Sequence, residues 1–375
     1  MSGAAPVERG ERRKAGVKML VYQVMAAWNP GGEASRRART VRSWLEGSGV
    51  ASRICVEEYR EEHAALGLES AERIPRSSSG NTAIVLHRDC MPRRARRYLR
   101  RKDGKLLLYG TASGGASRPG GCGGKAATGE EAAEIIARSR GELRVVVHSQ
   151  RTKSELAGAG FDQERIEVIP VVAEWERLTE VPGDRRMREY LGDGTTNMVY
   201  CGEVAPQNRL EDLLDIFLAY HRLINAASRL VVCGRPRLGY LRSFQAAIVE
   251  RGIVDAVLLL SASRPAEKAA CLETAHFFVQ PGGGEEAFVE MATAIRYAVP
   301  VVARENGYLE GFLDGSGILY GDEDPVLVAE LLENVRTDRL LRERILLSQE
   351  RRYAEVSEKE MRERFREAVR RIGVD

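Results

Sequence analysis

Short continuous runs of apolar residues alternate with amphipathic stretches along almost the whole chain. In the first half, six such runs are predicted to be strands, at residues 17–25, 51–56, 83–87, 105–110, 143–149 and 166–171. A buried parallel strand appears as a continuous apolar run rather than as a strict alternation of apolar and polar residues. Strands that alternate with helices form βαβ units, with helices on both faces of a parallel sheet.

The same pattern begins again near Asn197. Five further strands are predicted at residues 197–202, 229–234, 256–261, 276–282 and 299–304, and a helix-like stretch follows each of them. Between the two halves, residues 174–196 are polar and rich in turn-forming residues, which is typical of a linker. The pattern predicts an α/β protein with two doubly wound Rossmann-like domains, whose boundary falls near residues 174–184.

A length of 375 residues suits two domains, since a domain usually has about 100–200 residues. We predict four segments: a disordered tail over residues 1–16, an N-terminal domain over 17–174, a C-terminal domain over 175–350, and a C-terminal helix over 351–375. That last segment is strongly charged and carries only helical patterns. It is expected to pack back toward the N-terminal domain.

Composition excludes several classes of protein. Hydrophobic residues make up 43% of the chain and charged residues 30%, which is typical of a globular protein and not of a disordered one. No run of about 18 apolar residues occurs, and the N-terminus has no apolar core of a secretory signal. The net charge is only +3, so nucleic acid is not predicted as a partner. We expect a cytoplasmic protein.

The six cysteines are scattered along the chain. None belongs to a C-x-x-C pair or to a Cys/His cluster with the spacing of metal ligands. We therefore predict no metal site and no cofactor. Three of these cysteines lie in strand-like apolar runs, and we interpret them as small core residues.

Two stretches interrupt the alternation of strands and helices. Residues 111–130 are rich in glycine, and such a loop either orders over a ligand or remains a surface loop. Seven of the ten residues 93–102 are basic. This second stretch is either a solvated helix or a contact for an anionic acceptor or the inner face of an anionic membrane. The membrane interpretation makes the protein peripheral and rests on Arg93, Arg94, Arg96 and Arg97.

Two tandem domains of this kind place a cleft between the carboxyl ends of their sheets, where ligands bind at strand ends and helix N-termini. Gly31 and Gly32 follow the first strand. Glycines there allow the backbone to approach an anion closely, although a plain tight turn explains them equally well.

The second half carries a more specific pattern. A buried strand leads into Pro281 and three glycines that end at Gly284, and Glu285 and Glu286 then open a helix. One interpretation is a ligand-binding carboxylate at the cleft. The other is a pair of carboxylates that only complements the helix dipole.

The segment HFFVQPGGGEEAFVEMATAIRYAVPVVARENG, residues 276–307, resembles the donor-site signature of retaining GT-B glycosyltransferases of family 4. Pro281, Glu285 and Pro300 to Val302 fall in its positions. Further segments resemble other motifs of the family in the same order, so that the resemblance covers nearly the whole chain. They are NPGG, VVVHSQRTKSELAGAGFDQERIEVIPVV, YCGEVAPQNRLEDLLDIF, RLVVCGRP and GYLEGFLDGSGILY.

This resemblance implies a GT-B fold and the transfer of a sugar from a nucleotide-sugar donor, as in a hexosyltransferase. It also implies retention of configuration, no need for a metal, and a glycan or lipid-linked acceptor, as in the biosynthesis of cell-surface glycans. Glu285 would then bind the hydroxyls of the donor sugar and is the first candidate catalytic residue. Cations and helix N-termini would stabilise the leaving diphosphate.

The chain departs from the family at several positions. The family's Arg of the first strand of the second domain corresponds to Glu203, and its diphosphate-binding Lys to Asn208. Its second donor-site Glu, which binds the ribose, corresponds to Thr293, and Glu286 replaces a glycine. Its Asn-Gly pair after the I-P motif is replaced by Val171 and Val172. A diphosphate site normally built from two cations has thus lost both of them at their usual places.

Neighbouring residues are candidates to compensate for these losses. Arg209 lies beside the lost Lys, and Arg235 and Arg237 follow the next strand in CGRPR, where the alternative is a solvated loop. Glu290 lies one helical turn before Thr293 on the same face and is placed to hold a ribose hydroxyl. We therefore include Glu290, Thr293 and Gly284 in the predicted donor site.

His87 is the second candidate catalytic residue. It ends the strand-like run AIVLH at an edge that is predicted to face the cleft, whereas the family's histidine has no clear match near residues 109–113. The alternative is a histidine whose hydrogen bonds are satisfied within the strand.

Two functions remain open from the sequence. The first is a glycosyltransferase. The second is a catalytically degenerate GT-B partner or glycan-binding protein. The number of cations around the diphosphate position distinguishes them.

Overall fold

The computed structural model describes residues 20–25, 33–56, 58–74, 82–87, 105–109, 142–170, 181–237, 239–260 and 264–372. Within these ranges the chain forms a seven-stranded and a six-stranded sheet, and all neighbouring strands are parallel. The predicted fold class, two doubly wound α/β units, is therefore confirmed.

The N-terminal sheet has the strand order β3-β2-β1-β4-β5-β6-β7. Its strands are β1 (Leu20–Met25), β2 (Ala51–Val56), β3 (Leu68–Ser70), β4 (Thr82–His87), β5 (Lys105–Tyr109), β6 (Glu142–Val147) and β7 (Ile166–Val168). Helix α1 (Glu33–Glu46) lies between β1 and β2, and α2 (Gln150–Gly158) lies between β6 and β7. Short 3-10 helices follow at Glu61–Leu66, Ala71–Arg73 and Gln163–Arg165.

The C-terminal sheet repeats this arrangement, with the order β10-β9-β8-β11-β12-β13. Its strands are β8 (Thr196–Cys201), β9 (Ser228–Cys233), β10 (Val257–Leu260), β11 (Phe277–Gln280), β12 (Val301–Arg304) and β13 (Ile318–Tyr320). In both sheets the order reverses beside the first strand, and ligands of such folds bind at the carboxyl ends of the strands there.

Helices flank this second sheet and continue beyond it. They are α3 (Arg185–Leu191), α4 (Leu210–Ala219), α5 (Tyr240–Glu250), α6 (Pro265–Glu273), α7 (Phe288–Arg296), α8 (Gly307–Leu313), α9 (Pro325–Thr337), α10 (Arg339–Glu355) and α11 (Glu358–Arg371). A π-helical turn, Tyr220–Ile224, extends α4, and 3-10 turns occur at Pro206–Asn208, Val254–Ala256 and Glu285–Ala287. No helix in the described part of the chain is both long and apolar enough to span a bilayer.

The continuous apolar runs arise because the C-terminal sheet is covered on both faces. Adjacent residues of a strand point to opposite faces. Phe277 packs with Phe217 and Tyr220 on one face, whereas Phe278 packs with Phe288 on the other. All five of these phenylalanine and tyrosine side chains are at most 1% exposed. Both faces of the sheet are therefore apolar where Phe277 and Phe278 pack, and the polar residue of the strand, Gln280, lies at its carboxyl end.

Helix α11 returns to the N-terminal sheet. Its buried residues Met361, Phe365 and Val369 recur every fourth position, as expected for one face of a helix. Phe365 contacts Trp44 of α1 with ring centroids 5.7 Å apart, and Trp44 Nε1–H donates to Glu358 Oε1 at 3.2 Å. The C-terminal helix thus forms part of the core below the N-terminal sheet.

Two features differ from the sequence analysis. Strands β3 and β13 were not predicted, because each has only three residues and β3 (LES) has no apolar run. Part of the segment interpreted as a linker is helical, since Asp184 Oδ1 caps α3 by accepting from the N–H of Met187 at 3.0 Å. The segments 1–16, 93–102 and 111–130 lie outside the described residues.

Candidate functional site

The carboxyl edges of the two sheets meet at Glu285. This residue follows β11, and its side chain is only 3% exposed. Its Oε1 atom accepts hydrogen bonds from Ser149 Oγ at 2.9 Å and from Thr152 Oγ1 at 2.6 Å. Ser149 follows β6 and caps α2, so the N-terminus of that helix faces a carboxylate of the other sheet. Glu285 therefore lies where the two halves of the chain meet.

The glycines before Glu285 permit a close approach of two loops. A Cβ atom at Gly282 would lie 3.1 Å from Arg209 Cγ, and one at Gly283 would lie 2.8 Å from Asn208 Oδ1. Gly283 also has a φ of 103°, which L side chains rarely adopt. Gly282 and Gly283 thus permit the close packing of this run against the loop that follows β8.

Glu286 and Asn208, two departures from the family pattern, have local partners in these loops. Glu286 Oε1 accepts from the backbone N–H of Gly284 at 2.9 Å. Asn208 Nδ2 donates to the carbonyl oxygen of Glu203 at 2.7 Å, and the Asn208 side chain is buried. Both side chains therefore stabilise the loops at the carboxyl edge of the C-terminal sheet.

Two arginines converge on one carboxylate at the same edge. Arg209 Nε lies 2.7 Å from Asp212 Oδ2, and Arg304 Nη1 lies 3.1 Å from the same oxygen. Arg304, at the end of β12, also pairs with Asp322. The Arg209 side chain is 50% exposed and that of Arg304 is 16% exposed. A planar guanidinium suits a phosphate as well as a carboxylate, so this pair of cations can bind an anionic group.

The other predicted cations, Arg235 and Arg237, lie in the loop that follows β9. Arg235 is exposed after β9. Arg237 Nη1 donates to Gln207 Oε1 at 3.2 Å, and Gln207 Nε2 in turn donates to Glu203 Oε2 at 3.0 Å. Arg237 is therefore tied to the loop after β8, next to Arg209.

Glu290 and Thr293 have partners of their own in α7 and α6. Glu290 forms an ion pair with Lys268, and the two side chains are 22% and 17% exposed. Burial by itself would lower the pKa of the Lys268 ammonium, but the Glu290 carboxylate together with the nearby Cys201 and Cys233 raises that pKa. Thr293 is buried, and its hydroxyl donates to the carbonyl oxygen of Val289 at 2.7 Å.

His87 is fully buried at the end of β4. Its Nε2–H donates to Gln23 Oε1 at 2.7 Å, because the amide nitrogen of Gln23 donates to Ser52 Oγ at 2.9 Å. Burial, together with the positive charge of Arg37, holds the pKa of His87 well below its ordinary value. His87 is therefore a neutral imidazole within a hydrogen-bonded chain across β2, β1 and β4.

This neutral histidine predicts acid sensitivity. The unfolded chain takes up a proton near pH 6.5, whereas folded His87 does not, so stability is fully present above pH 6.5 and is lost as the pH falls below it. His276, whose pKa is also lowered by burial, adds to the effect. We expect the free energy of unfolding in urea to fall between about pH 6.5 and pH 5, by up to about 1.4 kcal/mol per pH unit for each histidine.

The variant His87→Gln should keep the hydrogen bond to Gln23. It should reduce the dependence of the unfolding free energy on pH by the part that one histidine contributes. An unchanged slope in His87→Gln would show that His87 takes up its proton over the same pH range in the folded protein as in the unfolded chain.

Several predicted site residues lie outside the described part of the chain. They are Gly31, Gly32, Arg93, Arg94, Arg96 and Arg97. Among the described residues, no group of three or more His, Cys, Asp or Glu side chains is arranged to hold a metal ion.

Sequence reasoning missed three residues of this site: Ser149, Thr152 and Arg304. The only signal for the first two was the segment after β6, where a serine three residues before a threonine begins a helix. The signal for Arg304 was its position at the end of a buried strand, next to the carboxyl edge.

The comparisons with known proteins agree with this geometry. No protein-family model and no curated protein sequence matches the chain. Solved structures do match. HepE from Anabaena, in complex with UDP and glucose, superimposes with a TM-score of 0.70 at 13% identity, over 94% of this chain and 100% of that one. A glycosyltransferase from Rickettsia africae has a TM-score of 0.71 at 12% identity, over 95% and 99%.

A third match is WaaG, a glycosyltransferase involved in lipopolysaccharide biosynthesis, with a TM-score of 0.59 at 13% identity over 94% of this chain and 99% of that chain. These structural neighbours are GT-B glycosyltransferases. The chain therefore has the GT-B fold, in which two Rossmann-like units face a cleft, as the sequence predicts.

Proposed function

We propose that the protein is a glycosyltransferase that transfers a sugar from a nucleotide-sugar donor. One observation carries the proposal: Glu285 lies buried where the carboxyl edges of the two sheets meet, in a fold whose neighbour HepE binds UDP and glucose. Ligands of doubly wound folds bind at that edge. Glu285 is placed to accept hydrogen bonds from the hydroxyls of a donor sugar.

The diphosphate of the donor would lie against Arg209 and Arg304. When the bond between the sugar and the diphosphate breaks, negative charge develops on the leaving phosphate. Preorganised cations stabilise such charge without reorganising during the reaction. The shared contact of both guanidiniums with Asp212 shows that they already converge on one anionic group. These two arginines compensate for the cations that are lost at positions 203 and 208.

The proposal also includes the stereochemistry of the transfer, its independence of metal, the family and the role of His87. Retention of configuration, independence of metal and membership of family 4 rest on the resemblance of residues 276–307 to the signature of that family. His87 acts on the acceptor side as a positioning residue in this proposal, since its hydrogen-bonded chain lies in the N-terminal sheet.

The acceptor in this proposal is a glycan or a lipid-linked sugar bound by the N-terminal half. WaaG, which acts in lipopolysaccharide biosynthesis, supports this class of acceptor. A contact of Arg93, Arg94, Arg96 and Arg97 with the inner face of an anionic membrane would bring the protein to such a substrate. A role in the biosynthesis of cell-surface glycans follows from this acceptor.

A second candidate function is a catalytically degenerate GT-B partner or glycan-binding protein. A specific observation favours it, because the chain's own carboxylates already contact the groups that a donor would use. Asp212 pairs with Arg209 and Arg304, and the Glu286 carboxylate accepts a hydrogen bond from the backbone N–H of Gly284. In this case the protein would keep the fold without nucleotide binding.

Glu285→Gln tests the enzyme. We expect it to lower turnover of the preferred nucleotide sugar by about tenfold or more, because a charged acceptor binds a hydroxyl more strongly than a neutral amide does. Donors are screened first by calorimetry with UDP-, GDP- and ADP-glucose, and turnover is then followed by release of the nucleotide.

Glu330→Gln, on the exposed side of α9, is the matched control and should keep wild-type turnover. If the wild-type protein binds none of the three nucleotide sugars at millimolar concentration, the enzyme proposal fails. The degenerate partner then becomes the better account.

A further inference from the structure

Glu285 is held by hydroxyl groups of the opposite half of the chain. Ser149 and Thr152 lie 136 and 133 residues away in sequence, and both donate to Glu285 Oε1. All three side chains are at most 6% exposed. A hydrogen bond from a hydroxyl to a buried carboxylate is among the strong kinds, so this contact joins the two sheets firmly.

A second contact lies beside this one. The Arg151 guanidinium lies over the ring of Tyr308 in α8, 5.2 Å from its centroid, a distance at which a cation is attracted to an aromatic face. Gly307, the first residue of α8, permits this approach, since a Cβ atom there would lie 2.6 Å from Arg151 Nη1. The first turn of α2 therefore docks on both Glu285 and α8.

Helix α8 also contacts the loop of glycines 282–284, which precedes Glu285. Asn306 caps α8 through its Oδ1 atom and donates from Nδ2 to the carbonyl oxygen of Gly283 at 3.3 Å. Helix α8, on which α2 docks, is thus tied directly to the glycines that precede Glu285. We name the contact of Ser149, Thr152 and Glu285 the clasp.

We propose that the clasp is an autoinhibitory contact, in which two hydroxyls of the chain itself hold the cleft closed and compete with a donor sugar for Glu285. This inference rests on the proposed function. The competing groups have the same chemistry, since a sugar also offers hydroxyl donors to a carboxylate. Donor binding therefore requires that the clasp opens, and a chain without it binds the donor more tightly.

Thr152 is the residue to change. Ser149 Oγ also caps α2 by accepting from the N–H of Thr152 at 3.1 Å, so its removal would weaken the helix as well. Thr152→Val keeps the shape of the side chain and removes the hydroxyl that donates to Glu285. Thr274→Val is the matched control, because the Thr274 hydroxyl donates only to backbone carbonyls of its own helix, at Ala270 and Cys271.

The first measurement needs no ligand. Amide hydrogen exchange, followed by mass spectrometry, is compared for peptides over residues 148–156, 283–290 and 305–313. Loss of a hydrogen bond to a charged group should shift the opening equilibrium, and with it the exchange of amides protected by closure, by about tenfold or more in Thr152→Val. Thr274→Val should match the wild type in these peptides. Unchanged exchange in Thr152→Val would overturn the clasp.

The second measurement is calorimetric titration with UDP-glucose, beside UDP alone. We expect Thr152→Val to bind UDP-glucose about tenfold more tightly than the wild type, with a smaller gain for UDP, which lacks the sugar. Equal or weaker binding of UDP-glucose by Thr152→Val would overturn the competition for Glu285. If no variant binds either ligand, the proposed function and the competition both fail, while the exchange result alone still decides whether the clasp closes the cleft.

Discussion

Replacing both Arg209 and Arg304 by alanine is expected to weaken the binding of UDP by two orders of magnitude or more. A hydrogen bond to a charged group contributes about 1.5–3 kcal/mol, so two of them contribute about 3–6 kcal/mol. That range corresponds to a loss of about 10²- to 10⁴-fold in affinity. The measurement is calorimetric titration of UDP into the wild type, the two single variants and the double variant.

The variant Asp212→Asn tests whether Asp212 competes with UDP for the two arginines. It removes the carboxylate that both arginines share, so it should leave UDP affinity unchanged or raise it. Arg344→Ala, at an exposed position of α10, controls for a general loss of positive charge. If the double alanine variant binds UDP as well as the wild type does, the diphosphate lies elsewhere.

The central strands could be predicted from the sequence because both faces of each sheet are covered. In β11 the neighbours Phe277 and Phe278 are buried on opposite faces, so the strand appears as an unbroken apolar run. The edge strands β3 and β13 gave a weaker signal. Each has only three residues and pairs with one neighbouring strand; β3 (LES) has no apolar run, and that of β13 (ILY) is too short to predict a strand.

The position of Glu285 could also be predicted, since a buried strand and a run of glycines mark the carboxyl edge of a sheet. Its partners could not. Ser149 and Thr152 belong to a helix of the other sheet, and no local pattern reports which helix turns will meet across a cleft. Arg304 was missed for the same reason, because its contact with Asp212 joins residues 92 positions apart.

The helical spacing of Glu290 predicts which face of α7 it lies on, but not which residue it contacts. Its position one turn before Thr293 predicts a residue that faces the donor, but spacing does not reveal that Lys268 of the neighbouring helix pairs with it. The pair is mostly buried, and it lies against the core that contains Cys201 and Cys233. Glu290 thus has a structural partner in addition to any contact with a donor.

This pair gives the largest effect on stability that we expect. Lys268→Met should lower the free energy of unfolding by about 3–5 kcal/mol, because it leaves the Glu290 carboxylate without its cation in a buried place. The partial exposure of the two side chains, 17% and 22%, places the result toward the lower end of that range. The measurement is urea unfolding at neutral pH.

The double variant Lys268→Met/Glu290→Met should recover most of the loss, since two well-packed apolar side chains replace a buried ion pair at little cost. The pair of Arg185 and Glu189 in α3 is the matched control. Its side chains are 84% and 62% exposed, and Arg185→Met should cost less than about 1 kcal/mol. An equally small loss for Lys268→Met would mean that water already solvates Glu290, in which case its carboxylate is accessible to a ribose as the spacing argument predicts.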